Sequence, residues 1–450
     1  MSVDFALAFF AIAAPFLFRV VKPAPAAAMV VLGGWLLLPV GHYPAGSADA
    51  DFPYWIIGSG LPSDMLLTKA WIAPTAALAG LLLFRRSVFA GLRPNVFDAP
   101  VLVWCLWPML QALFIDAPRP DAGLASLYLA GAWGATWLVG RACFATQDGR
   151  LVLLKSLALC GLACLPIALL EAAGGPLIYD ALYERHPYRL EGAVRFIGYR
   201  PLGLFEHGNQ YGIWVAMCAL AALWVALGKR ASWRWRAVAG VDVVIALASQ
   251  SVGPIALLIL GALFLLACNR WRARPMLLGT AGAVALAGAV YASGAVPIER
   301  LGRDTVLGRH IVEVLVSTQR GQSFAWRIAQ DQRHMQAATA RPLVGNGAWD
   351  WWRSRPRRPW GFAMLVLGQY GLIGLSACAL AWLGSAVAAC GRVPAGAVWT
   401  PNGVPLALAA LIVLSVLDAL LNSFLFFPSL LAAGALAAPA AVTRLRVGHA

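Results

Sequence analysis

Runs of apolar residues recur along almost the whole chain, near 4–18, 25–41, 66–84, 98–115, 123–140, 151–171, 210–228, 236–250, 253–268, 276–294, 361–389, 404–421 and 427–442. About 20 such residues in a helix cross the roughly 30 Å hydrocarbon core of a bilayer, and only helices and closed barrels satisfy their backbone groups there. The pattern predicts an all-α polytopic membrane protein of about 12–13 transmembrane helices, one domain over residues 1–450 with a large, partly helical periplasmic loop. The first two runs are short and interrupted by Pro15, Pro23 and Pro25, so twelve spans plus one interfacial segment is the alternative count. Only 12% of the residues are charged and the mean hydropathy is +0.72, which excludes a soluble enzyme.

A net charge of +15 would suggest nucleic acid for a soluble chain, but here the cations sit in short loops beside apolar runs. With the first residues outside, Arg19 and Lys22, Arg85 and Arg86, Arg141 and Arg150, Lys229 to Arg236, Arg270 to Arg274, Arg392, and Arg444 with Arg446 all fall on the cytoplasmic face. One orientation satisfies every short loop, and nucleic acid is excluded as a partner. The eight cysteines lie in or beside apolar runs without CxxC or His spacing, so neither a disulfide nor structural zinc is expected, and no cofactor. The N-terminal apolar stretch has no basic segment before it and is expected to be a retained helix.

This orientation leaves three longer connections outside: 42–65, 172–208 and 295–360. The last carries eleven Arg, no Lys and five acids. Long loops translocate regardless of charge, and the planar guanidinium fork suits phosphate and pyrophosphate. Either these arginines hold an anionic lipid-linked ligand or they meet lipid headgroups. Within the loop, Gln319 to Ala340 predicts an amphipathic helix with Phe324, Ile328, Met335 and Ala338 on one face. Arg320, Arg327, His334 and Arg341 recur every seven residues as a polar stripe beside that face, where a helix on the bilayer surface meets headgroups. Trp349, Asp350, Trp351, Trp352 and Trp360 fit either sugar stacking or an interfacial aromatic belt. The run Arg353 to Arg358 fits either lipid phosphates or an anionic glycan.

Three segments stand in order: Arg200-Pro-Leu-Gly203-Leu-Phe205-Glu-His-Gly-Asn209; Arg327 followed by Arg341-Pro342-Leu-Val-Gly345-Asn-Gly347; and Leu367-Gly-Gln-Tyr-Gly371-Leu-Ile-Gly374. Together, over roughly Leu190 to Leu375, these resemble the O-antigen ligase and O-antigen polymerase superfamily. The resemblance implies a metal-independent glycosyltransferase of the bacterial inner membrane, acting at the periplasmic face on an undecaprenyl-diphosphate-linked glycan, beside other polysaccharide-assembly proteins. Carried over by position, Arg200 and Arg327 would bind the diphosphate, with Asn209 at the start of the following helix. The family's Ser-Arg-Gly element appears as Ser251-Val252-Gly253, and its His-Asn pair before the late span is replaced by Trp360-Gly361. Without that His, the resemblance points to a polymerase more than to a ligase.

Glycosyl transfer needs positive charge for the departing diphosphate and a group that takes the acceptor proton. Glu206 and His207 beside the first motif, and Asp331 and His334 on the predicted helix, are the candidate bases. Arg320, His334, Arg341, Trp349 and Asp350 complete the predicted substrate-binding set. A transporter or flippase of lipid-linked glycan is the competing class, but transporters concentrate charge at the membrane midplane and often show internal repeats, and no repeat is evident here.

Overall fold

The computed structural model describes residues 1–40, 68–115, 122–183, 194–195, 197–229, 231–272, 319–348 and 358–437, with isolated positions between these blocks. Seven of its helices are long and apolar enough to cross a membrane: Val3–Val20, Ala122–Phe144, Gln147–Gly174, Gly208–Leu227, Val252–Arg270, Phe362–Cys390 and Pro401–Leu420. By length and composition the chain is a multi-pass membrane protein. Four further predicted runs form helices of 14 to 16 residues, at Pro23–Leu37, Lys69–Phe84, Asp98–Gln111 and Trp233–Ala248. At 1.5 Å per residue these reach about 21–24 Å, short of the roughly 30 Å core. Prolines contribute to this: Pro23 starts its helix after the extended Val21 and Lys22, and Pro108 precedes the end of its helix by one turn. The last predicted run is helical over Pro428–Ala437, and of the run at 276–294 only Leu277 and Gly279 are described, both helical.

Gly208–Leu227 is the centre of the bundle, with all but one of its side chains from Gly208 to Ala226 buried. Around it pack Gln147–Ala163, Trp233–Ala248, Val252–Arg270 and Val404–Leu421. Peripheral helices turn large apolar side chains outward, as Leu260, Leu263 and Leu266 do, which suits hydrocarbon and would be costly in water.

Phe362–Cys390 is broken at Gly371, whose φ of 66° and ψ of −170° belong to a region essentially reserved for glycine. A break inside an apolar helix frees backbone groups that cost several kcal/mol each if unsatisfied in hydrocarbon. The 342–347 turn satisfies them. Leu372 and Ile373 N–H donate to Pro342 O (2.8 Å) and Leu343 O (3.1 Å), while Asn346 and Gly347 N–H donate to Gly368 O and Gln369 O, both at 2.9 Å. Trp107 Nε1–H caps Tyr370 O at 2.8 Å, and Gln111 Nε2 adds a bond to Gln369 O at 2.6 Å. Two of the three sequence segments are thus halves of one joint. Both Gly345 and Gly371 are required at the contact, because a Cβ at either would lie within 2.5 Å of the opposing main chain.

Candidate functional site

The loop entering the central helix is set by Glu171. Fully buried near the end of Gln147–Gly174, it accepts the N–H groups of Leu202 and Gly203 through Oε2, both at 2.8 Å. Gly203 adopts φ of 56° there, a left-handed turn suited to glycine. The turn lays Arg200 across the first turn of Gly208–Leu227, so close to Gly208 that a Cβ would sit 2.5 Å from Arg200 Nε. Arg200 Nη2 donates to Asn209 Oδ1 (2.5 Å) and Ser251 Oγ (2.7 Å). Ser251 also fits against a glycine, because a Cβ on Gly212 would lie 2.3 Å from its Oγ. Glycines one helical turn apart therefore make room for the arginine and for its hydroxyl acceptor.

The second arginine arrives from the Gln319–Ala338 helix. Arg327 Nη1 donates to Asn422 Oδ1 at 2.5 Å, and Asn209 Nδ2 donates to the same oxygen at 3.4 Å. Asn422 Nδ2 in turn donates to Asp418 Oδ1 at 2.8 Å. A chain of hydrogen bonds therefore runs Arg327–Asn422–Asn209–Arg200, joining two guanidiniums far apart in sequence. Asp331 fixes the same helix against the start of Phe362–Cys390 by accepting the N–H groups of Trp360 (2.7 Å) and Gly361 (3.2 Å). Trp360 is a platform for cations, with Arg358 4.7 Å and Arg327 5.5 Å from its ring centre. Arg358 Nη1 also donates to Ser423 Oγ at 3.0 Å.

Burial first, and then the charge of Arg327, pulls the Arg200 guanidinium down to about 9, so it stays cationic at neutral pH. Burial, reinforced by Arg200, Arg327 and Arg358, holds His207 well below the usual imidazole range. The ring is thus neutral, and its Nδ1 accepts the Asn209 N–H at 3.0 Å as the N-cap of the central helix. This places the remaining ring proton on Nε2, making His207 a donor rather than a proton acceptor in this state. It stacks on Phe424 with ring centres 4.7 Å apart. Burial raises Asp331 to about 6 against the opposing pull of the Trp360 and Gly361 N–H groups and of Arg358 and Arg327.

Arg200, Arg327, His207 and Asn209 come together in one cluster. Glu206 is buried, and its carboxyl acts electrostatically on Lys69 and Tyr128. Lys69 Nζ donates to Leu204 O at 2.5 Å, which anchors the same loop from its other side. The predicted polar stripe divides. His334 is fully buried, with Nδ1 2.8 Å from Gln330 O, and Arg327 turns inward, so this part of the stripe packs on protein instead of facing headgroups. Arg341 lies beyond the helix end and is exposed, and the Arg320 side chain, Trp349 and Asp350 lie outside the described residues. Trp352 is buried, and Trp351 packs so tightly on Gly368 that no Cβ fits between them, so these two belong to the packed interior and not to an aromatic belt.

Asn422, Asp418, Ser423 and Phe424 escaped the sequence reading. Asp418 carries the signal that could have found them, because a carboxylate inside an apolar run marks a functional site or a paired charge. Among the described residues no three His, Cys, Asp or Glu side chains gather as a metal site requires. No family model matches the chain, and no characterised protein matches it in sequence.

Proposed function

We propose that the chain is a membrane glycosyltransferase that joins undecaprenyl-diphosphate-linked oligosaccharide units into exopolysaccharide or O-antigen at the periplasmic face of the bacterial inner membrane. The observation that carries this reading is the hydrogen-bonded chain from Arg200 through Asn209 and Asn422 to Arg327. It holds two cations in place with neutral amide oxygens, so their charge is oriented without being cancelled by those partners. Arg200 Nε–H, buried and without an acceptor among the described residues, is a further donor suited to an incoming phosphate oxygen.

In the reaction, the bond from the sugar anomeric carbon to the diphosphate breaks with its electron pair passing to the phosphate oxygen. An acceptor hydroxyl forms the new bond and its proton passes to the departing diphosphate oxygen, directly or through water. Arg200 and Arg327 stabilise the charge on the departing diphosphate, while Trp360 presents an aromatic face beside them. The departure from the family at Trp360, where ligases have His, supports polymerase over ligase.

Deletion of the gene in its host, with lipid-linked and surface glycans resolved on a gel, tests the proposal. Single repeat units in place of a ladder support polymerase. Long chains kept on the carrier with bare lipid A core would replace it with ligase, and units trapped on the cytoplasmic face with a transporter.

A further inference from the structure

The opposite end of the bundle holds a cavity of about 640 Å³. Three helices connect it with the arginine cluster. Gln147–Gly174 runs from the cavity wall at Gln147 to Glu171, Phe362–Cys390 from the Asn422 carbonyl to Ala389, and Val404–Leu421 from beside Asn402 to Asn422. Eighteen residues of helix separate the two ends by about 27 Å. This is the end that the short basic loops assign to the cytoplasm.

Among the described residues four arginines line the cavity, Arg93, Arg141, Arg150 and Arg392, and no acidic residue does. Asp98, behind the lining, pairs with Arg141. Arg150 gives two hydrogen bonds to Ala435 O, at 3.1 and 3.0 Å, and feels the like charge of Arg392. Arg93 and Arg392 are exposed and have no acidic partner among the described residues. The first turn of the helix Gln147–Ala163 also borders the cavity, but its Gly149 N–H is taken by Thr146 Oγ1 and Asp148 offsets its dipole, so the guanidiniums are what the cavity offers an anion. With Arg141 neutralised by Asp98, the charges of Arg93, Arg150 and Arg392 around one open space set up a positive potential that draws an anion in, most strongly at low salt. Guanidinium forks recognise tetrahedral phosphate oxygens.

We infer that this cavity is a second anion site, separate from the Arg200 and Arg327 cluster, and that it takes a phosphoryl or pyrophosphoryl group. The occupant is either a soluble phosphorylated molecule or the headgroup of an anionic phospholipid. The inference does not depend on the glycosyltransferase reading.

The test uses full-length protein in detergent carrying Arg327→Ala, so that binding at the other end does not confuse the result, with and without Arg93→Gln and Arg392→Gln together. Inorganic pyrophosphate is titrated against the melting temperature, and phosphatidylglycerol retention is measured by native mass spectrometry with phosphatidylcholine as control. A saturable rise with pyrophosphate, weakened at least about tenfold by the double substitution, supports a soluble ligand. Selective retention of phosphatidylglycerol, lost to a similar degree while pyrophosphate does nothing, supports a lipid headgroup. If neither probe distinguishes the two proteins, the proposal is overturned. Arg392→Lys controls for damage to the fold, because a retained charge is expected to keep most of the binding.

Discussion

Arg200 and Arg141 are both nearly buried arginines in one bundle, 4% and 5% exposed, yet their partners differ in a way that separates two uses of the same side chain. Arg141 is paired with the carboxylate of Asp98, which also accepts the Trp137 indole N–H at 3.0 Å and caps the Asn95 turn. There the charge is cancelled and the guanidinium braces three segments. Arg200 is held by an amide oxygen and a hydroxyl, neither of which has a formal charge. Its geometry is fixed just as firmly while its charge stays available to something else. Burying a cation without a counter-ion is costly, and among the described residues Arg200 has no carboxylate partner, a cost that the proposed diphosphate would offset.

The contrast is sharpest in the alanine variants. Arg200→Ala and Arg327→Ala are each expected to lower glycan transfer by roughly 1,000-fold with insertion and folding intact, as loss of a preorganised electrostatic contact does. Transfer assayed in isolated membranes checks this, and full activity in both variants would remove the functional reading. Arg141→Ala should act on the fold, at about 3 kcal/mol, because Asp98 is left without its cation. Replacing Arg141 and Asp98 together by apolar residues of similar volume should recover most of that loss in a thermal melt.

Changing the partner is a subtler test. Asn422→Asp puts a carboxylate where Arg327 now has an amide, directly on the hydrogen-bonded chain between the two arginines. Transfer is expected to fall about 100-fold and the melting temperature to fall as well, because the new carboxylate loses the Asn422 donor to Asp418 and repels it; an active variant would show that the site does not need a neutral partner at 422.

The smallest effect is a pH signature. His207 has a folded-state value held well below its ordinary 6.5 by burial and by three arginines. Its contribution to stability is therefore complete above about 6.5 and is lost as the pH falls. The difference in stability between wild type and His207→Gln should shrink by about 1 kcal/mol per pH unit below that point. In Arg327→Ala the onset should stay near 6.5, where the unfolded state sets it, but the slope should level off at higher pH, since one of the repelling charges is gone and the folded-state value rises, and melts from pH 7.5 to 5 read both. Activity in purified membranes is also expected to survive chelation of divalent ions, and a strict metal requirement would overturn the proposed chemistry.

The helices were legible because hydropathy alone marks them. Each predicted run within the described residues is helical in whole or part, although Pro23–Leu37 and Asp98–Gln111 are shorter than a full crossing. Arg200, Asn209 and Arg327 were legible only as members of ordered motifs. Asn422 was not, because a single amide in a short gap between two apolar runs has neither periodicity nor charge. Heptad spacing correctly put Arg327 and His334 on one helical face, but spacing says nothing of what that face meets. Here it meets the bundle, through Asn422 and the buried surround of Gln330. Arg341 fell off the stripe because the helix ends at Ala338.

The joint between the 342–347 turn and the break at Gly371 is made almost wholly of main chain. Its neighbours Leu343, Leu372 and Ile373 are substantially exposed, so little of the contact depends on what they are. Such a seam is nearly blind to spelling. A library randomised at 343, 345, 371, 372 and 373, selected for function, should return glycine at 345 and 371 and freely varying apolar residues at the other three. Across a lineage the same joint would persist after the surrounding words had drifted beyond recognition.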